Sequence, residues 1–144
     1  MEKTTYIIKP DGMKYRHEIK CAIVAAGLRI TKSFVVVLPK WALVQLYPSV
    51  PPIMWQATVR QLTKSACEVG IITGKNAISK FSTIAGKYAS PSKCDPNSIR
   101  SRFGKHRGKR IGRYFLYDNA IHRPKNHTEA IKDLEIIKRL TPKR

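Results

Sequence analysis

Thr4-Thr5-Tyr6-Ile7-Ile8-Lys9-Pro10-Asp11-Gly12 is a run rich in β-branched residues that is halted by a Pro-Asp-Gly turn signal. β-branched and aromatic side chains pack well on a pleated surface, and Pro and Gly end a strand, so residues 4–8 read as a buried strand. Such a strand delivers Lys9 to its carboxyl end. Residues 18–26 follow with helical spacing, Ile19, Ala22, Ile23 and Ala26 sharing one face, and Gly27 stands where a helix ends in a left-handed residue.

Working outward, residues 28–38 carry the apolar run Ser33-Phe34-Val35-Val36-Val37-Leu38 and stop at Pro39, which predicts a central strand. Residues 41–47 and 53–62 predict a helical hairpin broken by Pro48, Pro51 and Pro52. A third strand is expected over 69–72, then a helix over 76–84 with Ala77, Ile78, Phe81 and Ile84 on one side, then a loop over 86–97. Residues 113–121 contain a fourth strand pattern, Tyr114-Phe115-Leu116-Tyr117, and residues 128–140 a final amphipathic helix with Ile131, Leu134 and Ile137 apolar. This order predicts an α+β sandwich in which helices cover one face of a small, mainly antiparallel sheet. No internal repeat is visible.

The chain of 144 residues is the size of one ordinary domain, and a single domain over 1–144 is expected, with a basic C-terminal tail at 140–144 that frays. A hydrophobic fraction of 42% supports a packed core. No window approaches the ~18 uncharged apolar residues of a membrane span, so a soluble chain is expected. The N-terminus lacks a charged region followed by an apolar one, which argues against secretion. Cys21, Cys67 and Cys94 are odd in number and widely spaced, indicating neither a disulfide framework nor a zinc site. They read as reduced thiols, and a cytoplasmic protein is expected. The net charge of +19, from 28 Lys and Arg against 9 Asp and Glu, predicts attraction to polyanions. Membrane attachment is not expected, because no amphipathic helix with a broad apolar face and bulky anchors stands out.

Several short motifs then fall in a fixed order: Tyr6-Ile7-Ile8-Lys9-Pro10-Asp11-Gly12, Tyr47 followed by Pro52, Gly74-Lys75-Asn76-Ala77, Pro96-Asn97-Ser98-Ile99-Arg100, Asn119-Ala120-Ile121-His122, and Glu129-Ala130. In this order they resemble the nucleoside diphosphate kinase family over roughly residues 4–137. The resemblance implies a ferredoxin-like βαββαβ core, a four-stranded antiparallel sheet with helices, and a ping-pong reaction. A histidine takes the γ-phosphate of a triphosphate and passes it to another nucleoside diphosphate. A neutral imidazole is a competent nucleophile near neutral pH, and phosphoryl transfer needs little beyond an in-line nucleophile and cations where charge is shared.

Carried over residue by residue, the resemblance makes His122 the phosphate-accepting nucleophile. It makes Lys9 and Arg100 phosphate-binding cations, Tyr47 the tyrosine near the histidine, and Asn119 the sugar contact. Asp133 falls where the family has a glutamate that orients the histidine's other nitrogen. Ile53 and Met54 stand where the family has aromatic residues against the base, leaving Met54 an apolar contact. Mg²⁺ bound with the nucleotide phosphates and a homo-oligomer are implied as well.

Three departures accompany these matches. The family follows its histidine with Gly-Ser, whereas Arg123-Pro124 stand here, so one supporting hydrogen bond is missing. The family's second phosphate-binding arginine should fall near Phe81 or Ser82, and none is there. Lys80 or Lys87 could substitute only as point charges, without the guanidinium fork. Residues 104–118 form a basic insertion. Arg102, Lys105, Arg107, Lys109, Arg110 and Arg113 are interleaved there with glycines, as in a flexible loop or hairpin tip able to follow a phosphate backbone. His17, His106 and His127 lack any comparable setting and are expected in solvent.

Two functions are thereby expected in order. The first is a nucleoside diphosphate kinase working through phospho-His122. The alternative is a catalytically weakened kinase-like protein that binds RNA or DNA through its basic face.

Overall fold

The computed structural model describes residues 1–143. Along the chain the elements are β1 (Glu2–Ile8), α1 (Arg16–Ala25), β2 (Arg29–Val36), α2 (Lys40–Leu46), α3 (Pro52–Thr63), β3 (Cys67–Gly74), α4 (Ala77–Ala85), α5 (Ile99–Phe103), β4 (Lys109–Ile111), β5 (Tyr114–Leu116), β6 (Ile121–His122) and α6 (His127–Leu140). Short 3-10 helices cover Pro10–Tyr15 and Pro91–Lys93. The main sheet has the order β2-β3-β1-β6, and every neighbouring pair is antiparallel. This is the βαββαβ arrangement of a ferredoxin-like sandwich, with the α2–α3 hairpin inserted before β3 and a small two-stranded sheet inserted before β6. No described helix is long and apolar enough to cross a membrane.

The strand at residues 4–8 is central and buried on both faces. Tyr6 and Ile8 pack with Ile19 and Ile23 of α1 and with Ala77, Phe81 and Ala85 of α4. Ile7, pointing the other way, packs with Leu43 and Leu46 of α2, Leu62 of α3, and Ile136 and Ile137 of α6. Helices therefore cover both faces of the sheet, not one, because the alternating sides of β1 both carry large apolar groups.

Three further expectations are corrected. The apolar run at 33–38 belongs to an edge strand, β2, where Val35 is 47% exposed. A run of apolar residues reads alike whether one face or both are covered. The Tyr114-Phe115-Leu116 strand does not join the main sheet but pairs with β4 in its own hairpin, Arg110 opposite Phe115. The fourth sheet strand is the two-residue β6, with His122 opposite Ile7, too short to show a period. Finally, α6 buries Ala130, Asp133, Ile136 and Ile137, while Ile131 is 56% exposed. The helix is rotated from the expected face because a carboxylate, Asp133, turns inward. Its start is capped reciprocally: Glu129 N donates to Asn126 Oδ1 and Lys125 N donates to Glu129 Oε1.

Candidate functional site

Two sequence motifs dock against each other to build the site. The backbone N–H of Lys9 donates to the Ala120 carbonyl at 2.9 Å, and the Ala120 N–H donates to Asp11 Oδ2 at 2.9 Å. Ala120 has φ +71°, a left-handed conformation disfavoured for a residue with a side chain, which the Asp11 bond holds in place. Gly12 lies directly beneath: a Cβ there would stand 2.5 Å from the Ala120 oxygen. Lys-Pro-Asp-Gly and Asn-Ala-Ile-His are thus one structural unit, and Asp11 is a positioning residue whose role the motif alone does not reveal.

The kink at Ala120 sends β6 along β1 and aims His122 toward α6. Its Nε2 lies 3.0 Å from Asp133 Oδ2, with the carboxylate buried and the imidazole only 13% exposed. A carboxylate accepts, so in the neutral ring the proton sits on Nε2 and the lone pair on Nδ1. The Tyr47 ring at the end of α2 meets the imidazole edge-on, with centroids 4.9 Å apart. The Tyr47 hydroxyl is buried without a hydrogen-bond partner among the described residues, and burial raises its pKa above the ordinary range.

Lys9 is buried at the end of β1. Its Nζ donates to Asn119 Oδ1 at 2.9 Å and to the Tyr117 carbonyl at 3.4 Å, while Asn119 Nδ2 donates to the Ala89 carbonyl at 2.9 Å. Desolvation pulls Lys9 down to about 8, with Asp11 opposing and Arg100 reinforcing the shift. Arg100, buried on α5, is anchored by carbonyls: Nε and Nη2 donate to Ile121, and Nη1 donates to Tyr88 and Gly86. It acts electrostatically on both Lys9 and Tyr47, so the cations and His122 share one neighbourhood.

Lys9, Tyr47, Arg100, Asn119, His122 and Asp133 are therefore brought together from β1, α2, α5, β6 and α6. Met54 is only 7% exposed on α3, whereas its neighbour Ile53 is 59% exposed and lies against the hairpin tip at Gly112. The exposed apolar surface on this side is thus that of Ile53. Lys80 and Lys87 are exposed.

The basic run stands apart. Arg102, Lys105, Arg107, Lys109, Arg110 and Arg113 are all exposed along α5 and the β4–β5 hairpin. The hairpin is tied to the site at its base, where Gln61 Nε2 donates to the Tyr117 carbonyl at 2.8 Å and to Asp118 Oδ1 at 3.1 Å. Arg123 stands out in the sequence only as a departure from the family's Gly-Ser, and Gln61 shows no signal, being one polar residue on a buried helix face. His17, His106 and His127 are exposed, as expected. A cavity of about 1030 Å³ lies between α1 and β2, and one of about 490 Å³ where the hairpin meets α3; neither is lined by His122.

Among the described residues no group of three or more His, Cys, Asp or Glu side chains converges on a metal position. Asp11 is engaged by Ala120, and Asp118 by Gln61 and Lys105.

A family model described as nucleoside diphosphate kinase matches residues 2–139. Among solved structures, the nucleoside diphosphate kinase of Aquifex aeolicus is 23% identical, with 94% of each chain covered and a TM-score of 0.79. A transition state mimic of the Borrelia burgdorferi enzyme, with bound vanadate and ADP, is 19% identical, covering 94% of this chain and 85% of that one at a TM-score of 0.78. The Encephalitozoon cuniculi enzyme is 23% identical, covering 94% and 88% at 0.76. Among curated proteins no significant sequence match is found.

Proposed function

Since the chain belongs to the nucleoside diphosphate kinase family, we propose that it transfers the γ-phosphate of a nucleoside triphosphate to a nucleoside diphosphate through a phosphohistidine on His122. The observation that carries this reading is the 3.0 Å contact of His122 Nε2 with buried Asp133, which leaves Nδ1 as the free lone pair. In the first half-reaction Nδ1 bonds to the γ-phosphorus, and the bond from that phosphorus to the β,γ-bridging oxygen breaks, releasing the diphosphate. Nε2 keeps its proton throughout, and the positive charge that the ring gains is held by Asp133 Oδ2. The second diphosphate reverses the step.

Lys9 and Arg100 offset charge on the phosphate oxygens, and the Tyr47 hydroxyl, unpartnered among the described residues, is a donor on the ring that meets the imidazole. Asn119, held between Lys9 and Ala89, contacts the sugar, and Met54 with Ile53 offers the base an apolar wall. Mg²⁺ on the triphosphate would neutralise charge shared among its oxygens. We further place this activity in one domain over 1–144, in a homo-oligomer, and in the cytoplasm, where three free thiols and nucleotide substrates are both at home.

The test is to incubate the protein with γ-labelled ATP and Mg²⁺. An acid-labile phosphoprotein should form, pass its label to added GDP, and be lost in His122→Ala. No labelling, or equal labelling of the variant, overturns the reading.

A second reading, binding of RNA or DNA, has one favouring observation. Six cations are exposed on α5 and the hairpin, beside a half-exposed Phe115 ring stacked on Tyr117. It concerns a different surface from His122 and is compatible with the first.

A further inference from the structure

We propose that Arg123 and Arg100 form one buried guanidinium pair that binds the phosphate chain of the nucleotide, Arg123 supplying the second arginine that α4 lacks. The proposal rests on the nucleotide-kinase reading of the His122 site and adds a phosphate-binding residue to it.

His122 ends β6 and turns toward Asp133, whereas Arg123, the first residue beyond the strand, reaches Gly86 at the end of α4, where it is only 5% exposed. There Arg123 Nη2 donates to the Gly86 carbonyl at 3.1 Å, the same carbonyl that accepts Arg100 Nη1 at 3.4 Å. Two guanidinium groups therefore converge on one oxygen. Gly86 allows the approach: its φ is +120°, and a Cβ there would stand 3.1 Å from Arg100 Cβ and 2.9 Å from Cys94 Sγ.

Such a pair is costly as it stands. Among the described residues no carboxylate lies within 4.0 Å of either guanidinium. The acid acting most strongly on Arg123, Glu129, is already engaged by the Lys125 N–H. Arg100 is depressed first by burial and then by Arg123 itself. Of the five N–H donors that an arginine carries, the described residues partner a single nitrogen of Arg123, and its Nε is buried with no partner at all. Buried like charges with open donors are the arrangement an anion completes.

A phosphate is the anion that fits. It offers several acceptor oxygens to a planar fork, and Arg100 links the pair to the reacting residue by donating twice to Ile121, immediately before His122. Lys80 and Lys87, the lysines considered as substitutes, are exposed and contribute no such fork. Arg123 thus turns a departure from the family's Gly-Ser into a relocated cation.

The experiment compares the full chain with Arg123→Gly and Arg123→Gln at fixed ionic strength, using pyrophosphate, ADP and adenosine as probes. Calorimetric affinities and melting temperatures without ligand are read. Both variants should bind pyrophosphate and ADP about ten- to a hundredfold more weakly, adenosine unchanged, with a ligand-free melting temperature equal to or above that of the parent. The glutamine keeps the aliphatic stem and a neutral donor but removes the charge and the guanidinium fork. Parental affinity for pyrophosphate in Arg123→Gln, or a lowered ligand-free melting temperature with affinities intact, overturns the proposal. The two readings fail separately. A protein that binds pyrophosphate through Arg123 but never labels on His122 loses the kinase reading alone, and one that labels but binds pyrophosphate without Arg123 loses this one.

Discussion

Lys9 shows how a residue's setting dictates its pH behaviour. Burial lowers its ammonium from an ordinary 10.5 to about 8. It is charged at neutral pH and loses its charge as pH rises through about 8. Affinity for ADP should therefore fall between pH 7 and 9.5 more steeply than in Lys9→Met, whose weaker binding should vary little; parallel profiles would refute the assignment. The stability effect has the opposite sign. Between about 8 and 10.5 the unfolded chain holds the extra proton, so Lys9 makes folding more favourable as pH rises across that window. Below it the cost of burying the charge is present in full. The sequence placed Lys9 at a strand end but not its burial, because Asn119 and Tyr117, which enclose it, are more than a hundred residues away.

At the scale of elements, the docking of the 3-10 helix at Pro10–Tyr15 under β6 is the contact on which the site's geometry depends. Gly12→Ala would drive a methyl group into the Ala120 carbonyl, a backbone atom that cannot swing away. We expect a loss of about 1–3 kcal/mol in denaturant unfolding, with weakened ADP binding as His122 shifts. Parental stability and affinity would mean the two segments are not rigidly coupled. The elements themselves were largely legible: β1, the α2–α3 hairpin, β3 and α4 lie close to where periodicity puts them. The shortest and most irregular were not. β6 has two residues, and the face of α6 is disguised because Asp133, a charged residue, lies in its buried row. A carboxylate is normally assigned to solvent, and only its partner His122 explains the exception.

For the whole molecule, the net charge of +19 is distributed unevenly: Lys9, Arg100 and Arg123 are buried around the site, whereas the hairpin cations face solvent. Binding of mixed single-stranded RNA should weaken steeply with salt, the logarithm of affinity falling linearly with that of salt concentration. The triple change Lys109→Gln, Arg110→Gln and Arg113→Gln should flatten that slope by up to about two to three units while leaving His122 labelling as in the parent. An unchanged slope would show that the hairpin does not carry polyanion binding.

By itself the sequence determined the α+β class and the family, and it singled out His122, Asn119, Lys9, Arg100 and Asp133 as the candidates that the fold then brings together. These follow from local periodicity and from short motifs in order, both written in adjacent residues. Tertiary structure alone decided that β2 is an edge strand, that both sheet faces are covered, that Asp11 holds Ala120, and that Arg123 lies beside Arg100 on the Gly86 carbonyl. Those facts depend on which distant segments meet, through bonds between Asp11 and Ala120 or between Gly86 and Arg123. Burial and charge pairing are properties of that meeting, and no stretch of sequence contains them.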